Sequence, residues 1–437
     1  MKTLIIVLLF SFIAMFSMYC TKKDQVVTVP TTNTSELLSY KTTTAPIIDG
    51  QVDAIWDKAA KLNATPTVPY PGNNLFTGYN GEQYPVTLRS MYDDQYVYFL
   101  AEYADNTNSV YVATWYFDPG TQLWAQEPTS RQFDVNGVKT REGHGEDKLA
   151  MLWNIDNSTP NFITQTCYAS CHVFTPYTDF SVTPAVEKSN AGNGNHYTTG
   201  ASEKIDMWWA HLSRDIIFKQ MDDDYQDWAG GASVTSLVGG SGNGRHVDDL
   251  TVTGASAVWP YAPTYTTALP QGASNNKQTL KLDGTGAKVS VPLWVIPDGS
   301  NYYYILATDT LPGGKAKKVT GVSSTGLLTY DGGTIDPTTG TDYQRIGDAV
   351  SGSDGPKCFP SYIASPLING RADINCSAVY TGKGWIVEYK RKLKTDDVLK
   401  QDVDFTSLQD QPFGIAIWDQ SNNQHGIQPN LVLKFQK

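Results

Sequence analysis

Val86-Thr87-Leu88-Arg89-Ser90-Met91-Tyr92, then Asp93-Asp94, then Tyr96-Val97-Tyr98-Phe99-Leu100-Ala101-Glu102 is the stretch on which the fold turns. Polar and apolar side chains alternate along each run at the period of a half-buried strand, and two aspartates stand between the runs. The reading is a β-hairpin. Similar runs recur at Lys148-Leu149-Ala150-Met151-Leu152-Trp153, Val289 to Ile296, Tyr302 to Ala307, Trp385 to Lys390, Phe413 to Trp418 and Leu431 to Phe435, with Gly, Pro, Asn and Asp in the gaps. A short helix is expected around Val52 to Lys61, packing Trp56 and Ala59-Ala60 on a sheet. Many strands and no βαβ rhythm predict an all-β chain, a β-sandwich with long loop insertions and a few short helices.

Composition narrows the function classes. The chain has 437 residues, a formal net charge of -11 and 18% charged residues, with 11 Trp, 25 Tyr and 37 Gly. An acidic balance argues against nucleic acid as a partner, because phosphate neutralisation by Lys and Arg supplies most of that affinity. Residues 229–287 and 311–355 are dense in Gly, Ser, Thr and Asn. They read as insertions on one sandwich, without a composition suited to a core of their own.

The N-terminus predicts export. Met1-Lys2-Thr3 precedes an apolar run from Leu4 to Met18 that stops at Cys20, which is the pattern of a signal peptide over 1–19 and a lipid on Cys20. Residues 20–44 then read as a lipid-anchored tether, with folding from Ala45 to the end of the chain. The expected location is the periplasm or the cell-surface side of the outer membrane.

Cys167-Tyr168-Ala169-Ser170-Cys171-His172 carries the chemistry. Two thiols followed by an imidazole suit covalent haem attachment, with the cysteines adding to the porphyrin vinyl groups and His172 as proximal iron ligand. The usual spacing has two residues between the cysteines and here there are three. A Cys167–Cys171 disulfide and a partial zinc site are the competing readings, although a structural zinc generally takes four ligands. Cys358 and Cys376 are expected to form a disulfide, since exported chains keep such bonds.

These residues lie within a pattern that resembles a known family. Ile48-Asp49-Gly50-Gln51-Val52-Asp53-Ala54-Ile55-Trp56, Tyr92-Asp93-Asp94 with Ala104-Asp105, Glu146 to Trp153, Asp206-Met207-Trp208-Trp209, Gly384 to Leu393 and Phe413 to Asp419 follow the order of motifs in the ethylbenzene dehydrogenase-related haem-binding proteins. The resemblance runs from about Pro46 to Phe435 and implies a β-sandwich similar to a family 9 carbohydrate-binding module. It further implies one haem, an electron-transfer role rather than independent catalysis, and redox partners such as a molybdenum oxidoreductase or other cytochromes. Relatives hold a b-type haem by Met and Lys, whereas the cysteine-bearing branch implies haem c.

His425 and His211 are the candidates for the distal ligand, and Met151 and Met207 are the sulfur alternatives. His144, His196 and His246 are expected in exposed loops without a role. Arg214 and Arg391 are candidate partners for the haem propionates, because Arg pairs bidentately with carboxylates. The rival reading, from another class, is a carbohydrate-binding module whose aromatics stack on sugars and whose cysteines form a disulfide.

Overall fold

The computed structural model describes residues 35–69, 76–160, 162, 177–179, 186–188, 198, 202–227, 245–248, 272–297, 303–339, 343, 345, 357–397 and 399–437. Ten strands organise them: β1 Glu36–Lys41, β2 Val86–Tyr92, β3 Tyr96–Ala104, β4 Glu146–Asn154, β5 Ile205–His211, β6 Gln220–Gln226, β7 Ile374–Tyr380, β8 Gly384–Lys392, β9 Gln411–Ser421 and β10 Gly426–Phe435. They pair in the order β1-β10-β9-β4-β5-β6-β7-β8-β3-β2, and β1 also pairs with β2, so the sheet closes on itself. The chain is all-β, as expected. Its closing strand lies in the stretch expected to be tether, so folding begins before Ala45.

Every pairing round the ring is antiparallel except the two made by β1, which runs parallel to both β10 and β2. Because successive side chains point to opposite faces, alternate residues of each strand fill the interior. Leu149, Met151 and Trp153 of β4, Trp208 and Ala210 of β5, Phe99 and Ala101 of β3, and Phe413, Ile415 and Ile417 of β9 share one buried cluster. Aromatic rings dominate it. Phe99 stacks on Tyr389 with centroids 5.2 Å apart, and Trp153 lies 5.0 Å from Trp208 and 5.1 Å from Phe413.

The expected helix is a short 3-10 turn, Ala54–Lys58, packed outside the ring against Met91, Tyr98 and Leu100 through Trp56. A single carboxylate fixes it. Glu388 of β8 accepts hydrogen bonds from the backbone of Asp49 at 3.1 Å and of Gly50 at 2.8 Å, and from the Trp56 indole at 2.8 Å. Gly50 sits at φ +84°, and a Cβ there would lie 2.5 Å from Val379 Cγ2, so the turn demands glycine.

The second Gly-rich insertion carries regular strands. Residues 294–295, 317–322, 328–330 and 333–335 form a four-stranded sheet. Trp115, Phe117, Trp124, Val291, Val319, Leu328 and Phe359 build a second buried cluster with it. Aromatics from outside the insertions supply the mass that their own composition lacks. Among the described residues, no helix is long and apolar enough to cross a membrane.

At one end of the ring Asp147 accepts hydrogen bonds from the backbone of Ser109 and Gln420 and from the Trp385 indole. Asp105 and Asp419 lie beside it. Burial, and then the neighbouring carboxylates, raise Asp147, while burial followed by Asp105 pushes Asp419 up to about 7.

Two outcomes follow from this architecture. Replacing Glu388 by Ala strands two backbone N–H groups and an indole, and is expected to cost about 2–4 kcal/mol in urea unfolding. For the aspartates the folded state keeps protons that the unfolded chain has released above about pH 4. Their contribution to stability therefore falls as pH rises from about 4 to about 7. The stability of Asp419→Asn relative to wild type should climb across that window in melts at stepped pH, and a pH-independent difference would contradict the reading.

Candidate functional site

Outside the ring, β9, β4 and β5 present a face that is also buried. Register aligns Trp418, Lys148 and His211 across the three strands, then Ala416, Ala150 and Trp209, then Gly414, Leu152 and Met207. The alternation that sends Trp208 inward sends Trp209 outward. Ala150, Leu152, Phe162, Ile205, Met207, Trp209, Ala416, Trp418 and Ile427 form an apolar cluster there. Small residues beside Trp209 leave its ring room to lie along the sheet.

The two expected distal candidates flank one aromatic ladder. His211 stacks on Trp209 at 5.0 Å, Trp209 lies 5.5 Å from Trp418, and Trp418 stacks on His425 at 4.2 Å. Lys148 sits between the indoles, with Nζ 5.8 Å from the Trp209 ring and 5.4 Å from that of Trp418, donating to the Asn422 carbonyl at 2.9 Å.

His211 has the environment of a metal-ligating imidazole. It is 3% exposed, its Nδ1 lies 2.5 Å from Asp215 Oδ2, and its buried Nε2 has no hydrogen-bond partner. A carboxylate on one ring nitrogen fixes tautomer and orientation, and leaves the other nitrogen's lone pair for an ion. Burial, reinforced by Arg214, holds the ring well below its ordinary pKa and therefore neutral.

Charges around it are matched. Arg214 donates to Glu146 at 2.8 Å, and burial alone would raise Glu146, but Arg214 and the other neighbouring charges overcome that and hold it below the usual carboxylate range. Arg371 Nε donates to Asp222 at 2.7 Å and a second bond makes the pair bidentate. His211, Asp215 and Asp222 offer ligand atoms within 4.8 Å of one another, and Arg371 already engages Asp222. Burial pushes Asp215 up to about 7 against the pull of Arg214.

Other expectations fare differently. His425 is half-buried, with Nδ1 2.6 Å from the Asn423 carbonyl oxygen. His144 is buried rather than exposed, and His246 lies in the strand Arg245–Val247, with Nε2 2.8 Å from Asp227 and Nδ1 buried without a hydrogen bond. His246 thus shares the His211 pattern, which an isolated His after Gly-Arg does not signal in sequence. Met151 points into the interior, where its sulfur accepts from Tyr389 at 2.7 Å, while Met207 lies on the outer face. Arg391 is fully buried inside the ring, on the side away from the outer face, and bonded to Asp206, Asp402 and the Val403 carbonyl. Arg214 lies on the outer side, over the Tyr362 ring, with Nε buried and unpartnered.

Cys358 and Cys376 do not form the expected disulfide. Both are free buried thiols, Cys376 among the interior residues of the ring and Cys358 next to Phe359 of the second cluster. Burial pushes Cys358 up to about 12. Cys20, Cys167, Cys171, His172 and His196 lie outside the described residues. The connection from β4 to β5 leaves at Asn154 and returns at Ile205, which are register partners, and Ser158 Oγ ties its two ends through Lys204 at 2.9 and 3.1 Å.

An all-β ring with a buried, carboxylate-held imidazole beside an aromatic wall defines the class of site. The chain belongs to the family described as ethylbenzene dehydrogenase, whose model matches residues 53–429. No curated protein matches the chain. Among solved structures, a carbohydrate binding module family 9 protein from Caldicellulosiruptor kristjanssonii in complex with glucose aligns over 92% of this chain and 96% of that one, at 9% identity and TM-score 0.25. A family 9 module from the same organism in complex with cellotriose aligns over 44% and 75%, at 15% identity and TM-score 0.14.

The thiols provide a direct check. In protein unfolded without reductant, peptides carrying Cys358 and Cys376 should both alkylate fully, and neither should react while folded. Recovery of the two as one linked peptide would restore the disulfide.

Proposed function

We propose that this protein is an exported monohaem c-type cytochrome that carries single electrons, held to a membrane by a lipid on Cys20. Haem, when bound, supplies the iron that cycles between its ferric and ferrous states. Cys167 and Cys171 would anchor the group, His172 would be the proximal ligand and His211 the distal one.

The observation that carries this reading is His211 itself. A neutral imidazole fixed through Nδ1 on Asp215 leaves a buried Nε2 without a partner, and an unpaired buried polar atom is costly unless something uses it. Chain reach is compatible. Phe162 is fixed in the outer apolar cluster, and Cys167 follows five residues later, at most about 18 Å away. His172 follows five residues beyond that, so about 36 Å bounds its reach, against about 20 Å for the length of β5.

Trp209 and Trp418, tilted by 34° to each other, offer an apolar wall for a porphyrin, and Arg214 Nε remains for a propionate. His425 completes the ladder as a packing residue. Membership of a family described as ethylbenzene dehydrogenase supports an association with an oxidoreductase, with this chain as the electron relay. Among the described residues the large apolar side chains that stand exposed are aliphatic, so no exposed aromatic platform for sugar stacking favours the rival reading.

Chain matured with haem-attachment machinery should show Soret and α bands that survive acid-acetone extraction. Bands that extract completely would end the covalent assignment. The variant His211→Ala should convert a low-spin ferric spectrum to high-spin, whereas His425→Ala and His246→Ala should stay low-spin. Conversion in either of the latter two, with His211→Ala unchanged, would move the distal ligand.

A further inference from the structure

We propose that the interior end of β5 and β6 is a binding site for a hard divalent cation, calcium by its chemistry, independent of the outer face. Asp206 of β5, Asp223 of β6 and Asp402 offer carboxylate oxygens that all lie within 4.8 Å of one another. Asp248, which follows the strand Arg245–Val247, is held there by its backbone N–H on the Asp223 carbonyl at 3.4 Å. The residues come from four separate parts of the chain.

Only one cation among the described residues serves this group. Arg391 Nη1 donates to Asp206 Oδ2 at 2.7 Å and to Asp402 Oδ1 at 3.2 Å, and stands 3.6 Å from Asp223 Oδ2, beyond hydrogen-bond reach. The Val403 N–H adds a bond to Asp206 Oδ2 at 2.9 Å, and Thr395 Oγ1 donates to Asp402 Oδ2. Asp206 Oδ1, both oxygens of Asp223 and Oδ1 of Asp248 remain, buried and without hydrogen bonds. Asp206 and Asp223 are 0% exposed.

These leftovers are an independent sign of a ligand. Asp248 lies outside the mutually close triad, yet is also buried with an unpartnered oxygen. Four ionised carboxylates against one guanidinium would leave a net charge of about -3 in the interior, which a dication reduces to about -1. Geometry selects the ion. Calcium binds oxygens at about 2.3–2.6 Å, so two oxygens on one ion are at most about 5 Å apart, and the observed spread falls inside that limit. A donor set of oxygens alone disfavours zinc, and buried carboxylates with no room set aside for several waters disfavour magnesium, which dehydrates reluctantly. At the opposite acidic end both Asp147 oxygens already accept N–H donors and Asp105 keeps one buried oxygen without a hydrogen bond, against four such oxygens here.

Full-length protein freed of metal by a chelator and desalted is the test material. Calcium should raise its melting temperature far more than magnesium, elemental analysis should find about one calcium per chain, and terbium should luminesce on excitation of the nearby Trp208. The variants Asp223→Asn and Asp248→Asn should weaken calcium binding at least tenfold. Asp419→Asn, at the opposite end, should leave it unchanged. If chelation alters neither melting temperature nor metal content, the carboxylates hold protons instead and the proposal falls. It falls equally if Asp419→Asn removes the calcium response while Asp223→Asn and Asp248→Asn keep it. Should Asp223→Asn fail to fold, Asp248→Asn alone decides between these outcomes.

Discussion

Closure of the sheet through β1 is the constraint on which the remaining structure depends. An open sheet exposes two edges of unpaired backbone groups, and a ring exposes none. Once β1 bridges β10 and β2, each of the ring's strands acquires an inside and an outside, and the inside must be filled. Bulky aromatics do this economically: Phe99, Trp153, Trp208, Tyr389 and Phe413 are linked by a continuous chain of ring contacts. Arg391 and its carboxylates occupy one end of that interior, and Asp147 with its neighbours occupies the other.

The sequence was most readable where strands alternate cleanly. Val86 to Glu102 is the hairpin β2–β3, and the runs at Trp385 and Phe413 are the centres of β8 and β9. It was least readable where polar residues are interior. β6 reads Gln220-Met221-Asp222-Asp223-Asp224-Tyr225-Gln226, and three consecutive aspartates signal a loop, yet all three are buried. Their partners, Arg371 and Arg391, are more than a hundred residues away, so no local pattern announces them. β1 was hidden for another reason: Glu36 to Lys41 is too short and mixed to be told from tether without its neighbours.

The candidate site was partly legible. Both distal candidates and both tryptophans belong to one outer face, which the spacing of Asp206 to Trp209 and of Phe413 to Trp418 foreshadowed. What separates His211 from His425 is tertiary. Asp215 is one turn away in the chain, but its burial, and the balance of Lys148, Arg214 and Arg371 against Glu146, Asp215 and Asp222, arise only on assembly. That balance matters, because an imidazole kept neutral can ligate, whereas a protonated one cannot.

β5 finally shows why the two sites are inseparable in construction though independent in chemistry. Asp206, Trp208 and Ala210 face inward while Met207, Trp209 and His211 face outward, so a slip of one residue would exchange the two sets. Such a slip would place an aspartate on the apolar wall and the His211 imidazole against the aromatic interior. Register is pinned from both sides. Asp206 is held by Arg391 and the Val403 N–H within, and His211 by Asp215 without. The polar pairs that are costly to bury therefore have a structural use whatever ligand each face takes, because only one register of the strand brings Asp206 to Arg391 and His211 to Asp215.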